Sequence, residues 1–196
     1  MIQGQLFKMK TIQADKVNYR LRLGDEEHDL MPFVGHKVRL RFTGEIRCIE
    51  CGKPTKKSWQ QGHCFPCTQK LASCDICILK PELCHFAKGT CREPQWGEEN
   101  CLRPHIVYLA NTSGLKVGIT REAQVPTRWM DQGAAQALPI LRVSERLKSG
   151  LIEVMLAEHV ADKTHWQRLL KGMPEPIDLI KERDRLLELI VDRFKD

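Results

Sequence analysis

The sequence predicts a mixed α+β protein with an N-terminal antiparallel β meander, a cysteine-rich zinc-ribbon middle and a C-terminal α/β domain that ends in a helix. Three observations support this prediction: alternating apolar and polar residues near the N-terminus, nine cysteines confined to residues 48–101, and helical periodicity near the C-terminus. The predicted boundaries are 1–46, 47–104 and 105–196. The 42% hydrophobic and 29% charged fractions are typical of a globular chain and argue against a disordered one.

The predicted meander rests on two stretches in which apolar and polar side chains alternate. These are residues 17–23 and 38–42, with a turn expected at 24–27. The alternation places four arginines on the outward face of the sheet: Arg20, Arg22, Arg39 and Arg41. Such a face is interpreted either as an ordinary solvated surface or as a nucleic-acid-binding surface.

Two C-x2-C pairs separated by twelve residues predict a structural zinc site with four ligands: Cys48, Cys51, Cys64 and Cys67. Each pair forms a tight turn whose two sulfurs can reach one ion, and two such turns complete a tetrahedral shell. The alternative is a redox dithiol, although redox pairs usually occur singly. Zinc here would position the loop 53–59, in which Lys56 and Lys57 are predicted to contact nucleic acid. The alternative for this loop is a solvated segment with Trp59 packed against the ribbon.

The remaining five cysteines predict a second zinc site between residues 74 and 105. We expect its ligands to be Cys74, Cys77, Cys84 and Cys91, because the loops between them are short. One of these ligands could be replaced by His85, Cys101 or His105. An iron–sulfur cluster could use the same donors.

A hairpin is predicted from 106–109 and 115–119, turned by residues 111–114, and a last helix is predicted after Pro176. The stretch Val107-Tyr108-Leu109, then Lys116-Val117-Gly118-Ile119-Thr120-Arg121 and Arg128-Trp129, resembles the GIY-YIG nuclease superfamily. With the upstream cysteines and the run 131–134, the chain is similar to an uncharacterised prokaryotic domain-of-unknown-function family with a GIY-YIG-like core.

The resemblance implies a site that hydrolyses DNA with one divalent metal, Mg²⁺ or Mn²⁺. Tyr108 matches the first-motif tyrosine, Arg128 the helical arginine and Glu153 the metal-binding glutamate. Lys116 stands where the second motif has a tyrosine, as in some phage-type members. A lysine can bind phosphate as a point charge but is not the same acid or base as a phenol. Arg121 is a further predicted nucleic-acid contact, and Gly118 is expected to leave space where the substrate approaches.

Charge and hydropathy limit the partners and the compartment. The formal charge is +6, and two four-thiolate zinc sites would lower it to about +2, so bulk charge says little about nucleic-acid binding. The longest apolar run, 106–110, is far shorter than the roughly 20 residues of a membrane span. We see no secretory signal and therefore expect a reducing cytoplasm.

The motifs leave three hypotheses open. The first is a zinc-stabilised nucleic-acid-binding protein with a metal-dependent endonuclease site, acting on DNA or RNA. The second is a non-catalytic zinc-ribbon adaptor for RNA, DNA or protein, and the third is a redox or metal-handling protein. Convergence of Tyr108, Lys116, Arg121, Arg128 and Glu153 on one cleft would favour the first.

Overall fold

The structure is a computed structural model that describes residues 2–194 and divides the chain into two units, Met1–Asp75 and Ile76–Asp196. Both units contain a small antiparallel sheet, so the architecture is α+β, as predicted. Within residues 2–194, no helix combines the length and the apolar character that a membrane span requires.

The N-terminal unit begins with a three-stranded antiparallel meander. Its strands are β1 (Leu6–Ile12), β2 (Asn18–Leu23) and β3 (Glu26–Asp29), in the order β1-β2-β3. Leu23 pairs with Glu26 across a tight turn that contains Gly24, whose φ of +61° is unfavourable for most side chains. An N-terminal antiparallel meander is therefore present as predicted, and β2 is the one of its strands that the alternation located.

The prediction of a strand over residues 38–42 is wrong. The third strand forms directly after the turn, so β3 occupies the edge of β2 that the later segment was expected to pair with. Residues 38–42 form no strand, and Leu40 and Phe42 are each 72% exposed. Alternation marks a segment that could be half-buried in a sheet, but a strand also needs a partner for its backbone groups.

The C-terminal unit is built on a second antiparallel sheet of three strands. These are β4 (His105–Asn111), β5 (Leu115–Arg121) and β6 (Gln136–Val143), in the order β5-β4-β6. All residues of the central strand β4 are buried. The hairpin of β4 and β5 confirms the prediction from the sequence.

Six α-helices accompany the strands in the described residues. They are α1 (Phe65–Lys70), α2 (Pro94–Asn100), α3 (Thr127–Asp131), α4 (Arg146–Ala157), α5 (Trp166–Leu169) and α6 (Leu179–Ile190). The last helix confirms the predicted terminal helix. Its N-cap is Asp178, whose carboxylate accepts hydrogen bonds from the N–H groups of Ile180 and Lys181 at 3.2 and 3.1 Å.

The two faces of the second sheet bury different sets of side chains, because neighbouring residues of a strand point to opposite sides. One face packs on α4 and α6 and forms the main core: Val107, Leu109, Val117, Ile152, Leu156, Leu179, Leu186 and Ile190. The other face buries Ile106, Tyr108 and Ala110 against Trp129 of α3. Tyr108 therefore belongs to the sheet face that α3 covers.

Candidate functional site

The four cysteines of the two C-x2-C pairs form a close group, which we call the tetrathiol cluster (Cys48, Cys51, Cys64 and Cys67). Their sulfur atoms all lie within 4.8 Å of one another. Cys51 Sγ and Cys64 Sγ are 3.8 Å apart. This geometry and the softness of thiolate donors fit a tetrahedral structural zinc ion.

Local backbone geometry produces the tetrathiol cluster. The first turn is closed by the N–H of Gly52, which donates to the carbonyl of Cys48 at 3.0 Å, and Gly52 has a φ of +67°. The N–H of Cys48 in turn donates to the carbonyl of Lys53 at 3.0 Å. Cys64 lies at the N-cap of α1, and its N–H donates to Cys48 Sγ at 3.3 Å. Two residues between paired cysteines are enough for such a turn, which is why the spacing predicts the site.

The electrostatics of the tetrathiol cluster favour a bound cation. Burial alone would raise the pKa of Cys48, but hydrogen bonds from backbone groups of Cys51, Cys64 and Glu50 lower it to about 6. Burial and the neighbouring sulfurs raise the pKa of Cys67 to about 12. One thiolate therefore opposes ionisation of the next, and a divalent ion would remove that opposition.

The loop that joins the two cysteine pairs exposes the predicted nucleic-acid contacts. Lys56 and Lys57 are both exposed. Lys57 Nζ lies 3.8 Å from the centroid of the Trp59 ring, and that ring lies 4.9 Å from the ring of Phe65. Trp59 is 50% exposed, so one part of its ring packs on α1 while another part remains accessible.

The second predicted quartet does not form a comparable group. Cys74 belongs to the N-terminal unit. Cys77, Cys84 and Cys91 belong to the C-terminal unit, and among the described residues they do not make a close set of their own. Cys77 Sγ lies within 4.8 Å of a ring nitrogen of His85, while Cys91 Sγ donates to the Glu93 carbonyl at 3.5 Å. The second site therefore stays a prediction.

A polar group in the C-terminal unit contains the four residues that the resemblance singles out. We call it the strand-edge cluster, because it lies beside β5, an edge strand of the second sheet. Its members are Tyr108, Lys116, Arg128, Gln132, Glu153 and Asp162.

Tyr108 is fully buried and lies across Gly118, its register partner on β5. A Cβ atom at Gly118 would lie 2.7 Å from the Tyr108 hydroxyl oxygen and 2.8 Å from Cζ. The space over Gly118 therefore holds the tyrosine ring. This corrects the expectation that Gly118 leaves room for the substrate: glycine is needed there because Tyr108 occupies the space.

We expect Gly118→Ala to lower the free energy of unfolding by about 1–3 kcal/mol, the usual cost of overpacking a close-packed site. Urea denaturation measures this change. The same Gly118→Ala change should cost less stability when it is made in Tyr108→Phe than when it is made in wild type, because the nearest contacting atom is the Tyr108 hydroxyl oxygen. Unchanged stability of the single variant would contradict the packing described here.

Gln132 links Tyr108 to Arg128. The Tyr108 hydroxyl lies 3.0 Å from the Gln132 side-chain amide. With the amide oxygen turned towards the guanidinium, this oxygen accepts from Arg128 Nε at 2.9 Å and Nη2 at 3.1 Å. Burial raises the pKa of Tyr108, and the positive charge of Arg128 offsets part of that rise. Tyr108 is therefore held as a neutral phenol near neutral pH.

Lys116 and Glu153 lie near each other beside β5. Lys116 precedes Gly118 by two residues and so points to the Tyr108 face, and it is only 6% exposed. Burial and the charge of Arg128 lower the pKa of Lys116, whereas Glu153 and Asp162 raise it. Burial raises the pKa of Glu153, and the Lys116 ammonium opposes that rise. Each charge thus partly compensates for the desolvation of the other.

Glu158, the other glutamate of this part of the chain, has a different environment. It is exposed, and its carboxylate accepts from Arg193 Nη1 at 3.0 Å and Nη2 at 2.9 Å. Of the two glutamates, Glu153 is the one whose pKa responds to Lys116.

Arg121 is not part of the strand-edge cluster. It lies five residues after Lys116 on β5, and side chains an odd number of residues apart on a strand point to opposite faces of the sheet. Its guanidinium donates to the Asn100 side-chain oxygen. A contact of Arg121 with nucleic acid stays a prediction, and its side chain already has a protein partner.

Two members of the strand-edge cluster were missed by the sequence analysis. Gln132 follows Arg128 by four residues, a separation that places two side chains on one side of a helical turn, so the signal was available. Asp162 follows Ala161, whose carbonyl accepts from the Val117 N–H at 2.8 Å. No local pattern indicates that this segment would lie along the free edge of β5.

One known protein family matches the part of the chain that contains both clusters. The family "Protein of unknown function (DUF2797)" matches residues 35–195, which include the tetrathiol and strand-edge clusters. The chain belongs to this family. No curated protein and no solved structure matches the DUF2797 chain.

Proposed function

We propose that this DUF2797 protein is a zinc-stabilised nucleic-acid-binding protein whose C-terminal unit has a GIY-YIG-like fold and cleaves DNA phosphodiester bonds with a divalent metal. The supporting observation is the strand-edge cluster. It brings two cations, a phenol and a carboxylate into electrostatic range beside β5: Lys116, Arg128, Tyr108 and Glu153. Such a set combines phosphate-binding groups with a metal ligand.

The cationic residues bind the phosphodiester group in this proposal. Arg128 is exposed, and its guanidinium can donate to a phosphate oxygen through the groups that Gln132 leaves free. Lys116 contributes a nearby positive charge and takes the place of the second-motif tyrosine. Tyr108, whose pKa is raised by burial, acts as a hydrogen-bonding group and not as a base.

Glu153 is the proposed metal ligand. Its carboxylate is half-buried and lies within the electrostatic range of Asp162, so two oxygen donors are available to a hard cation. Mg²⁺ or Mn²⁺ held there would stabilise negative charge on the reacting phosphate. Asp162 is exposed and can approach from the segment that borders β5.

The tetrathiol cluster has a structural role in this proposal. A zinc ion with four thiolate ligands has no open position for chemistry. It would order the loop that carries Lys56, Lys57 and Trp59, and these side chains provide charge for phosphates and a ring for base stacking.

A non-catalytic adaptor is the second candidate, and one specific observation favours it. Tyr108 is fully buried and Lys116 is 6% exposed, so these two groups have little direct access to a ligand. In an adaptor the strand-edge cluster would stabilise the fold, and the exposed lysines and Trp59 would do the binding.

A substrate survey separates the two candidates. The zinc-loaded full chain is incubated with supercoiled plasmid, single-stranded DNA and structured RNA, each with Mg²⁺, Mn²⁺ or EDTA. The proposal expects nicked or linear plasmid with a divalent metal and intact plasmid with EDTA. Binding to these nucleic acids without cleavage of any of them would overturn the nuclease and favour the adaptor.

We expect the double variant Lys56→Glu, Lys57→Glu to bind every DNA sequence more weakly, since the lost contacts are to phosphates. The slope of log affinity against log salt should fall by about 1 for each phosphate contact removed. Fluorescence anisotropy at several salt concentrations measures both effects. The matched control is Lys171→Glu, Lys181→Glu, which makes the same charge change at two exposed positions. Equal weakening by both double variants would show that DNA affinity depends on net charge alone and would contradict a specific contact by Lys56 and Lys57.

A further inference from the structure

His105 is a buried histidine with one ring nitrogen unused. It is 0% exposed and begins β4. Its Nδ1 lies 2.7 Å from the carbonyl oxygen of Arg103, which requires Nδ1 to carry the proton and leaves a lone pair on Nε2. Nε2 is buried and has no hydrogen-bond partner. A histidine that donates from one nitrogen to a carbonyl while the other stays free has the arrangement of a metal ligand.

Three cysteines lie in the same part of the C-terminal unit. Cys84 and Cys101 line one small cavity with Phe86 and Leu147. Cys91 Sγ packs against α2: a Cβ at Gly97, one helical turn before Cys101, would lie 3.2 Å from that sulfur. Cys84 and Cys91 both act electrostatically on Cys101. The three thiols therefore come from three separate short segments to one neighbourhood.

Two arginines connect the cysteines with His105. The Arg121 guanidinium donates to the side-chain oxygen of Asn100, the residue before Cys101, and both Arg121 and Arg146 lie within electrostatic range of Cys101 and of His105. Arg121 is the register partner of His105 on β5, and the N–H of Arg146 donates to the Cys101 carbonyl at 2.8 Å. A zinc ion with three thiolates and one neutral imidazole has a net charge of about −1. These guanidinium groups are placed to compensate for it.

We propose that Cys84, Cys91, Cys101 and His105 are the ligands of a second zinc ion, a structural site with three sulfur donors and one nitrogen donor. Among the described residues these donors do not form a close set as the tetrathiol cluster does, so binding of the ion would have to draw them together. The site is independent of the proposed nuclease chemistry. It would fasten the segment before β4 to the strand that carries Tyr108.

The rival ligands are Cys77 and His85, which lie close to each other. His85 differs from His105 in two respects. Its Nδ1 bonds to the Thr90 hydroxyl at 2.8 Å, and its side chain is not fully buried. His105 is fully buried, and its Nε2 has no hydrogen-bond partner among the described residues.

Native mass spectrometry of the full chain tests the assignment. Wild type should carry two zinc ions, His105→Ala and Cys101→Ser should each carry one, and the controls Cys77→Ser and His85→Ala should each keep two. His105→Cys should keep two ions and, after exchange into cobalt, gain thiolate-to-cobalt absorption, which a merely misfolded variant would not do. One zinc in wild type, two in His105→Ala, or one in either control would overturn the proposal. An iron–sulfur mass in place of the second zinc would also overturn it.

Discussion

Cys51→Ser is expected to unfold the residues around the tetrathiol cluster and to leave the sheet of β4, β5 and β6 folded. Structural zinc contributes about 10–16 kcal/mol in small zinc-binding domains, which is as large as the whole stability of a typical domain. The segment 46–70 has little else to stabilise its fold, because its only regular element is the six-residue helix α1.

Amide hydrogen exchange followed by mass spectrometry measures this effect region by region. Peptides from 46–70 should lose protection in Cys51→Ser and in chelator-treated wild type, while peptides from β4 should keep it. Glu50→Gln is the matched control, since Glu50 is exposed between two ligands and its backbone hydrogen bonds do not depend on its charge. Loss of protection in β4 as well would show that the units unfold together, and unchanged protection throughout would contradict the zinc assignment.

Glu153→Gln is expected to reduce metal-dependent DNA cleavage by about 10³-fold and to leave DNA binding nearly unchanged. The estimate follows because metal stabilisation of charge contributes several kcal/mol, and about 1.4 kcal/mol corresponds to a tenfold change in rate. Glutamine has the size of glutamate but removes the negative charge that a hard cation requires.

Glu158→Gln is the matched control for this variant. Glu158 lies five residues further along the chain, is exposed and bonds to Arg193, so its loss should leave the cleavage rate within a factor of a few. Arg128→Ala should weaken both binding and cleavage, because the guanidinium is a phosphate-binding group in this account. A Glu153→Gln protein that cleaves as fast as wild type would refute the role of Glu153.

The parts of the structure that were predictable from the sequence depend on local rules. Cys48 and Cys51 are close enough in sequence for one turn to bring their sulfurs together, so their spacing indicates the cluster without knowledge of the fold. The β4–β5 hairpin is likewise local, since alternation and a glycine-containing turn determine it.

The parts that were not predictable depend on partners distant in sequence or on register. The alternation of 38–42 suggests a strand, but only the position of β3 reveals that both edges of β2 are already occupied. The reason for Gly118 is visible only once the register places Tyr108 opposite to it. By contrast, the position of Arg121 on the opposite face from Lys116 follows from strand alternation alone.

Single-turnover cleavage of a labelled DNA duplex, with the zinc-loaded chain in excess and Mn²⁺ as the variable, tests the proposed activity most directly. The account predicts no product without Mn²⁺ and a rate that rises with Mn²⁺ to a plateau. A duplex that the protein binds but leaves intact at every Mn²⁺ concentration would contradict it.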